Sequence, residues 1–286
     1  MDFIVTSAQE GMRLNDFLRR EHRFSRRIIS SMKFDGRILV NGAAQRTSYL
    51  LHEKDVVRVC FPETASENLL PQSIALNILY QDQDILALDK PAGMAIHPSP
   101  GHGEGTLANA VAGYYEAQGL KTAVRILGRL DRDTSGVVLL SKHPLAHKIL
   151  FETPLEKYYT AVIPGRLLPD SGEIDAPILE AEKGLRRFVS PEGKRAVTRY
   201  RTVEAKKRYS LLELQLITGR THQIRIHMAY LGHPLAGDLT YGGPTDLPRQ
   251  ALHAARLEFL HPLTGEKLCI ASPLPKDIKQ FWEEQT

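Results

Sequence analysis

Residues 128–136 read Gly-Arg-Leu-Asp-Arg-Asp-Thr-Ser-Gly. Two carboxylates, Asp131 and Asp133, stand two positions apart, and each follows an arginine, Arg129 or Arg132. Such a group could be an acid/base pair, a metal site, or one working carboxylate beside a turn. An adjacent arginine favours the ionised carboxylate and lowers its pKa. The result is a poor general acid at neutral pH but a standing anion or nucleophile. A second polar segment, Thr-Gly-Arg-Thr-His-Gln-Ile-Arg at 218–225, carries Arg220, His222 and Arg225. On spacing alone, a structural ion pair in a turn explains these residues better than chemistry does.

Other chemistries fit less well. The flanking arginines oppose a cation at Asp131 and Asp133. His222 and His227 are five apart, not the four that places two ligands on one helix face. No His-x-Glu with paired cysteines is present, so the zinc deaminase pattern is missing. No metal site is expected. Residues 100–106, Pro-Gly-His-Gly-Glu-Gly-Thr, lack the Gly-Lys-Ser/Thr ending of a phosphate loop and read as a surface loop. Asp-Thr-Ser-Gly-Val is not a Gly-x-Ser-x-Gly elbow, so Ser135 and Gly136 end a loop that enters a buried strand. Asp131 and Asp133 cannot be given opposed glycosidase roles from so short a spacing.

The elements that must position these residues are legible in outline. Residues 12–23 have a helical apolar pattern through Met12, Leu14, Phe17 and Leu18. Ser25 is an N-cap for a second helix over 26–34. A strand then ends at Asn41-Gly42, a tight-turn signal, and residues 55–61 form another. Further on, Thr106 caps a helix through Leu107, Ala110, Val111 and Tyr114, and residues 137–142 are a buried strand. Pro144 opens a short helix, and residues 157–165 form a strand with Tyr159, Ala161 and Ile163 on one side. Two strands fill 196–217, a helix closed by Gly232 follows, and Thr264-Gly265 marks a hairpin. Clustered strands with few helices predict an α+β fold with a mainly antiparallel mixed sheet around a central cleft.

The chain has 286 residues, 42% hydrophobic and 24% charged, an ordinary globular balance. No apolar run reaches the ~20 residues of a membrane span, and the N-terminus lacks the pattern of a secretion signal. Two distant cysteines, Cys60 and Cys269, fit a reducing compartment, so a cytoplasmic protein is expected. Residues 1–62 hold 11 lysines and arginines against 7 acidic residues, and the remainder holds 26 of each. The entire +4 excess therefore sits in the first fifth, which points to a small polyanion-binding unit on a neutral body. Residues 63–75, polar and proline-bounded, read as a linker to a second domain over 76–286.

The motifs taken together resemble a known family. Residues 128–136 are similar to the His-Arg-Leu-Asp-x-x-Thr-Ser-Gly signature of the RluA-like RNA pseudouridine synthases. Residues 84–98 resemble the family's first motif, 157–161 its Lys-x-Tyr-x-Ala motif, and 218–227 with 231–242 its third. The stretch 252–275 is similar to its ending, so the resemblance runs in order over 78–275. Residues 1–62 resemble an S-four-like RNA-binding domain, with Arg26, Arg27, Lys33 and Arg37 around the second helix. Lys54 stands where that module usually has glycine, Gly128 where the family usually has histidine, and Asp89 where asparagine is common.

The resemblance implies an isomerase acting on structured RNA, with ribosomal RNA the first choice and transfer RNA the second. It implies that Asp131 is the catalytic aspartate and that Tyr159 stacks under the target uracil and helps remove the C5 proton. Arg225 is then the partner of Asp131, and Arg129 enters the space left by the flipped base. Arg220 and His222, with Arg26, Arg27 and Lys33, become RNA contacts. Breaking N1–C1′ and joining C5 to C1′ involves no net redox change, so no cofactor is expected. Neither DNA nor a membrane is an expected partner, and a monomer is the default. The rival reading is an RNA-binding or ribosome-assembly factor without activity, against which the presence of Asp131, Tyr159 and Arg225 argues.

Overall fold

The computed structural model describes residues 1–33, 36–61, 69–100, 103–180 and 187–285. The first 60 residues build their own antiparallel sheet. Its strands are β1 (Asp2–Ile4), β2 (Ile38–Val40), β3 (Ala43–Ala44) and β4 (Val56–Val59), in the order β1-β4-β2-β3. Asn41 and Gly42 join β2 to β3, both at positive φ, as the tight turn demands. The predicted first helix is shorter than its apolar pattern: α1 (Leu14–Asp16) passes into a wide π-type turn over Phe17–Glu21. The wide turn still buries Phe17 and Leu18. In α2 (Arg26–Met32) the Ser25 hydroxyl accepts a hydrogen bond from the Ile28 amide at 3.2 Å, the expected cap. Lys54 takes the left-handed backbone, φ +71°, that its usual glycine would adopt. Asp55 beside it is buried and accepts from Asn41 Nδ2 at 2.7 Å, so the turn keeps its shape without the glycine.

The larger body is one ten-stranded sheet. Its first strands are β5 (Ile78–Gln81), β6 (Ile85–Lys90), β7 (Arg125–Leu127), β8 (Ser135–Ser141) and β9 (Glu156–Pro164). After β10 (Ser171–Asp175), a separate small hairpin joins β11 (Ile178–Glu180) to β12 (Arg187–Val189). β13 (Val197–Ala205), β14 (Tyr209–Leu216), β15 (Leu252–Leu260) and β16 (Lys267–Ala271) complete the set. The strand order is β10-β13-β14-β9-β15-β8-β6-β5, with β16 on β15 and β7 on β8. All described pairings are antiparallel except β15 with β8. That is the mixed, mainly antiparallel α+β arrangement the sequence suggests. β7, β10 and the β11–β12 hairpin carry no strong sequence signal and appear only in the structure.

Helices α3 (Leu107–Ala117), α4 (Pro144–Glu152), α5 (Gln223–Tyr230) and α6 (Lys276–Glu283) cover the sheet. Thr106 and Asn109 form a reciprocal cap at the start of α3. Buried Leu145 and Ile149 of α4 pack into the same core as Leu14, Phe17, Leu18 and Val57 of the N-terminal unit. Fully burying such side chains stabilises by about 1.5–3 kcal/mol each. Part of the stretch read as a linker, 63–68, lies outside the described residues. The part that follows is docked rather than loose. Gln72 donates its amide to Asn109 O at 3.0 Å, and its carbonyl would stand 2.2 Å from any Cβ on Gly113. In the glycine-rich loop, Gly101 and His102 also lie outside the described residues.

Gly136, at the end of the Thr-Ser-Gly run, is required by close approach. A Cβ there would lie 2.2 Å from the Ala254 carbonyl oxygen, and φ is +114°. The bare glycine lets β8 pair in parallel with β15, at Ser135 with His253 and Gly136 with Ala254. Gly136→Ala is therefore expected to destabilise by roughly 3 kcal/mol, from strain and a displaced strand. A thermal melt showing a change below about 1 °C would contradict this account.

Candidate active site

The loop from β7 to β8 and the loop from β14 to α5 meet over β9 and enclose a cavity of about 460 Å³. Asp131 stands in the first loop and Arg225 on the first turn of α5. They are 94 positions apart, yet Arg225 Nη1 donates to Asp131 Oδ2 at 3.1 Å. The same guanidinium donates Nε and Nη2 to Asp238, at 2.7 and 2.8 Å. Asp238 is buried, so its bidentate grip fixes the guanidinium plane and leaves Nη1 for Asp131. Burial opposes the charge on Arg225. The hydrogen bonds and charges of Asp238, with those of Asp131 added, outweigh it and raise its pKa above the ordinary arginine value. The cation is permanent.

Tyr159, on β9, forms the floor with Leu216, Ile224 and Leu252. Burial raises its phenol pKa, and the charge of Asp131 raises it further, so the ring is a neutral phenol. His222 caps α5 in a left-handed conformation, φ +57°. Its Nε2 is 3.7 Å from Asp131 Oδ1 and its Nδ1 is 3.0 Å from the Tyr241 hydroxyl. Burial lowers its pKa, against the pull of Asp131. Arg129 is exposed at the rim, and Arg220 lines the cavity while its Nε donates to Arg195 O at 3.0 Å. The expected set Asp131, Tyr159, Arg225, Arg129, Arg220 and His222 thus converges on one cavity. Arg26 and Arg27 are exposed on α2, and Lys33 follows its end. None of these three lines the cavity.

The second carboxylate of the opening pair points elsewhere. Asp133 Oδ1 accepts from its neighbour Arg132 at 3.2 Å, and neither side chain lines the cavity. The loop is held instead through its carbonyls. Lys90, fully buried, donates to Arg132 O at 2.9 Å and to Pro91 O and Met94 O at 2.8 Å. Burial pushes its pKa down to about 8. Arg249 donates to Asp133 O at 2.9 Å while paired with Asp277. On the facing loop, buried Gln223 accepts from the Arg220 amide and Thr218 Oγ1, and donates to Val197 O and Thr198 Oγ1. Its four bonds fix the turn that presents Arg220 and His222. His227 is buried between Thr198 Oγ1 and Ala176 O, an anchor of α5.

Sequence reasoning missed several of these groups. Lys90, Asp238 and Tyr241 lie within segments that resemble family motifs, but nothing in their spacing shows that they support Arg225 or the Asp131 loop. The Arg225 guanidinium also sits 5.2 Å from the Tyr241 ring centroid. Among the described residues, Asp82, Asp84 and His261 could together hold a cation. They are already bonded to one another and to Tyr80 and His143, and none lines the cavity.

Residues 84–230 match the family model described as RNA pseudouridylate synthase. The chain belongs to the RNA pseudouridylate synthase family. It is an isomerase that converts uridine in RNA to pseudouridine. It is 41% identical to the RNA pseudouridine synthase YjbO of Bacillus subtilis, over 90% of this chain and 94% of that one. It is 38% identical to the ribosomal large subunit pseudouridine synthase D of Xanthomonas campestris, over 90% and 84% of the two chains. Among solved structures it is similar to human RNA pseudouridylate synthase domain containing 1, with a TM-score of 0.59 and 26% identity. That alignment covers 71% of this chain and 84% of the human one.

Proposed function

We propose that this pseudouridine synthase modifies ribosomal RNA, with Asp131 as the reacting carboxylate and Arg225 as the cation that orients it. Tyr159 lies under the target uracil, and Arg129 fills the stack that the flipped base leaves. The observation that carries this reading is the Arg225 bridge between buried Asp238 and Asp131, in the same cavity that Tyr159 lines. Isomerisation breaks N1–C1′, turns the base and joins C5 to C1′. N1 gains a proton and C5 loses one. Addition to C1′, attack on C6 and removal of the 2′ proton all start from an ionised Asp131. A neutral Tyr159 offers a stacking face, and its phenol must pass its own proton on before it can take the one from C5. Extruding the base costs a few kcal/mol, and the planar Arg129 can repay part of this by stacking and bonding phosphates.

The name of the Xanthomonas campestris relative supports ribosomal RNA as the substrate. Incubation with transcripts carrying uracil tritiated at C5 tests it. Tritium release from ribosomal RNA fragments and not from transfer RNA is expected, and the reverse preference would overturn the substrate. No release from either would favour a binding factor without activity. A protein working in the reducing cytoplasm suits the two exposed, unpaired cysteines.

The N-terminal unit is the second RNA-binding surface in this proposal, through Arg26, Arg27 and Lys33. Removing it whole would uncover Leu145 and Ile149, so substitution is the cleaner probe. Arg26→Gln with Arg27→Gln is expected to weaken RNA binding. The salt slope should fall by about one for each phosphate that these arginines neutralise. An unaltered slope in a salt titration would remove the helix from the interface.

A further inference from the structure

Lys157 is a cation in the cavity to which the reaction gives no task. β9 alternates its faces, so Lys157 and Tyr159 project to the same side, about 7 Å apart along the strand. Both line the cavity. Among the described residues, no hydrogen-bond acceptor and no carboxylate is paired with the Lys157 ammonium, and burial is the cause that lowers its pKa. Lys90 shows the contrast, since its three protons are taken by three carbonyls. A half-buried charge without a partner is costly. The cavity's carboxylate, Asp131, is already held by Arg225.

The space around this ammonium is shaped by Gly128. A Cβ on Gly128 would lie 3.5 Å from Lys157 Nζ, and φ at Gly128 is +84°. A side chain at position 128 would therefore sit in contact with the ammonium, and glycine puts none there. Arg129 follows at once on the rim, and four cations, Arg129, Lys157, Arg220 and Arg225, line the cavity against one carboxylate. We infer that Lys157 holds a phosphate of the RNA strand beside the flipped uridine, on the side where Gly128 places no side chain. A compact ammonium is a point-charge binder suited to a phosphate. The inference rests on the reading above that the uracil lies on Tyr159.

The test compares the intact wild type with Lys157→Met and Lys157→Arg on one tritiated ribosomal RNA transcript. Tritium release by the wild type checks the underlying reading separately. Lys157→Met is expected to raise Kd and KM about tenfold, as removal of a charge-assisted hydrogen bond does, with a smaller fall in kcat. The slope of log affinity against log salt should fall by about one. Lys157→Arg should keep the wild-type slope. A raised KM with an unchanged slope would assign the ammonium to an uncharged uracil oxygen and overturn the proposal. A fall in kcat at constant KM would place Lys157 in the chemistry, and no change in either would leave it structural. Both overturn it. If Lys157→Met fails to fold, Lys157→Arg decides, because a slope lowered by about one despite the retained charge would contradict a phosphate contact.

Discussion

Asp131→Asn is expected to abolish pseudouridine formation, with a fall in rate of at least about 10⁴-fold, the scale seen when a reacting group is removed. The substitution keeps shape and one acceptor oxygen, so Arg225 Nη1 can still donate across the present 3.1 Å. Arg225 also keeps its grip on Asp238, so the fold should hold. What disappears is the negative charge on which every route to the rearrangement depends. RNA binding should stay within about threefold, or tighten, because the cavity becomes more positive. Tritium release from C5 and a filter-binding titration measure the two arms. Turnover near that of the wild type would remove Asp131 from the chemistry, whatever its position.

The second large effect falls on a residue that does not line the cavity. Asp238→Asn is expected to cost about 3–5 kcal/mol of stability, because it leaves a buried guanidinium with one carboxylate in place of two. For a chain of this size that lowers Tm by on the order of 10 °C. The asparagine also turns an NH₂ towards a group that can only donate. Arg225 should then swing towards Asp131, and kcat should fall by tenfold to about a hundredfold, as for a misplaced catalytic group. Calorimetry and single-turnover kinetics check both. A Tm within about 2 °C of the wild type would mean that Asp131 alone satisfies Arg225.

These two expectations differ in where they could have been found. Asp131 is legible in the sequence because its neighbours Arg129, Leu130, Thr134, Ser135 and Gly136 form a run whose order resembles a family signature. The secondary elements are legible where local chemistry dictates them. Ser25 and Thr106 cap helices, Asn41-Gly42 turns a hairpin, and the all-apolar run Val137–Leu140 is a buried strand. The first helix is shorter than its pattern suggests, because an apolar 3.6-residue pattern persists through the wide turn at Phe17–Glu21. The short strands β7 and β10–β12 escape a sequence reading because pairing partners, and not their own residues, make them strands.

The sequence alone determined the residue types: a carboxylate among arginines, a tyrosine on an alternating strand, an excess of positive charge in the first 62 positions, and glycine at 128 and 136. Their family order, and through it the reaction, could be read without coordinates. The resemblance already implies that Arg225 partners Asp131. The tertiary structure added the contact itself, at 3.1 Å, and the rest of the charge network around it. It separated Asp131, held by Arg225, from Asp133, paired with Arg132. It brought in Asp238 as the brace and Lys90 and Arg249 as clamps on the loop, and it left Lys157 facing the cavity. The physical reason is range. Caps, turns and apolar periodicity act within a few residues of chain. An ion pair needs only proximity in space, and here a ten-stranded sheet brings positions 131, 225 and 238 together.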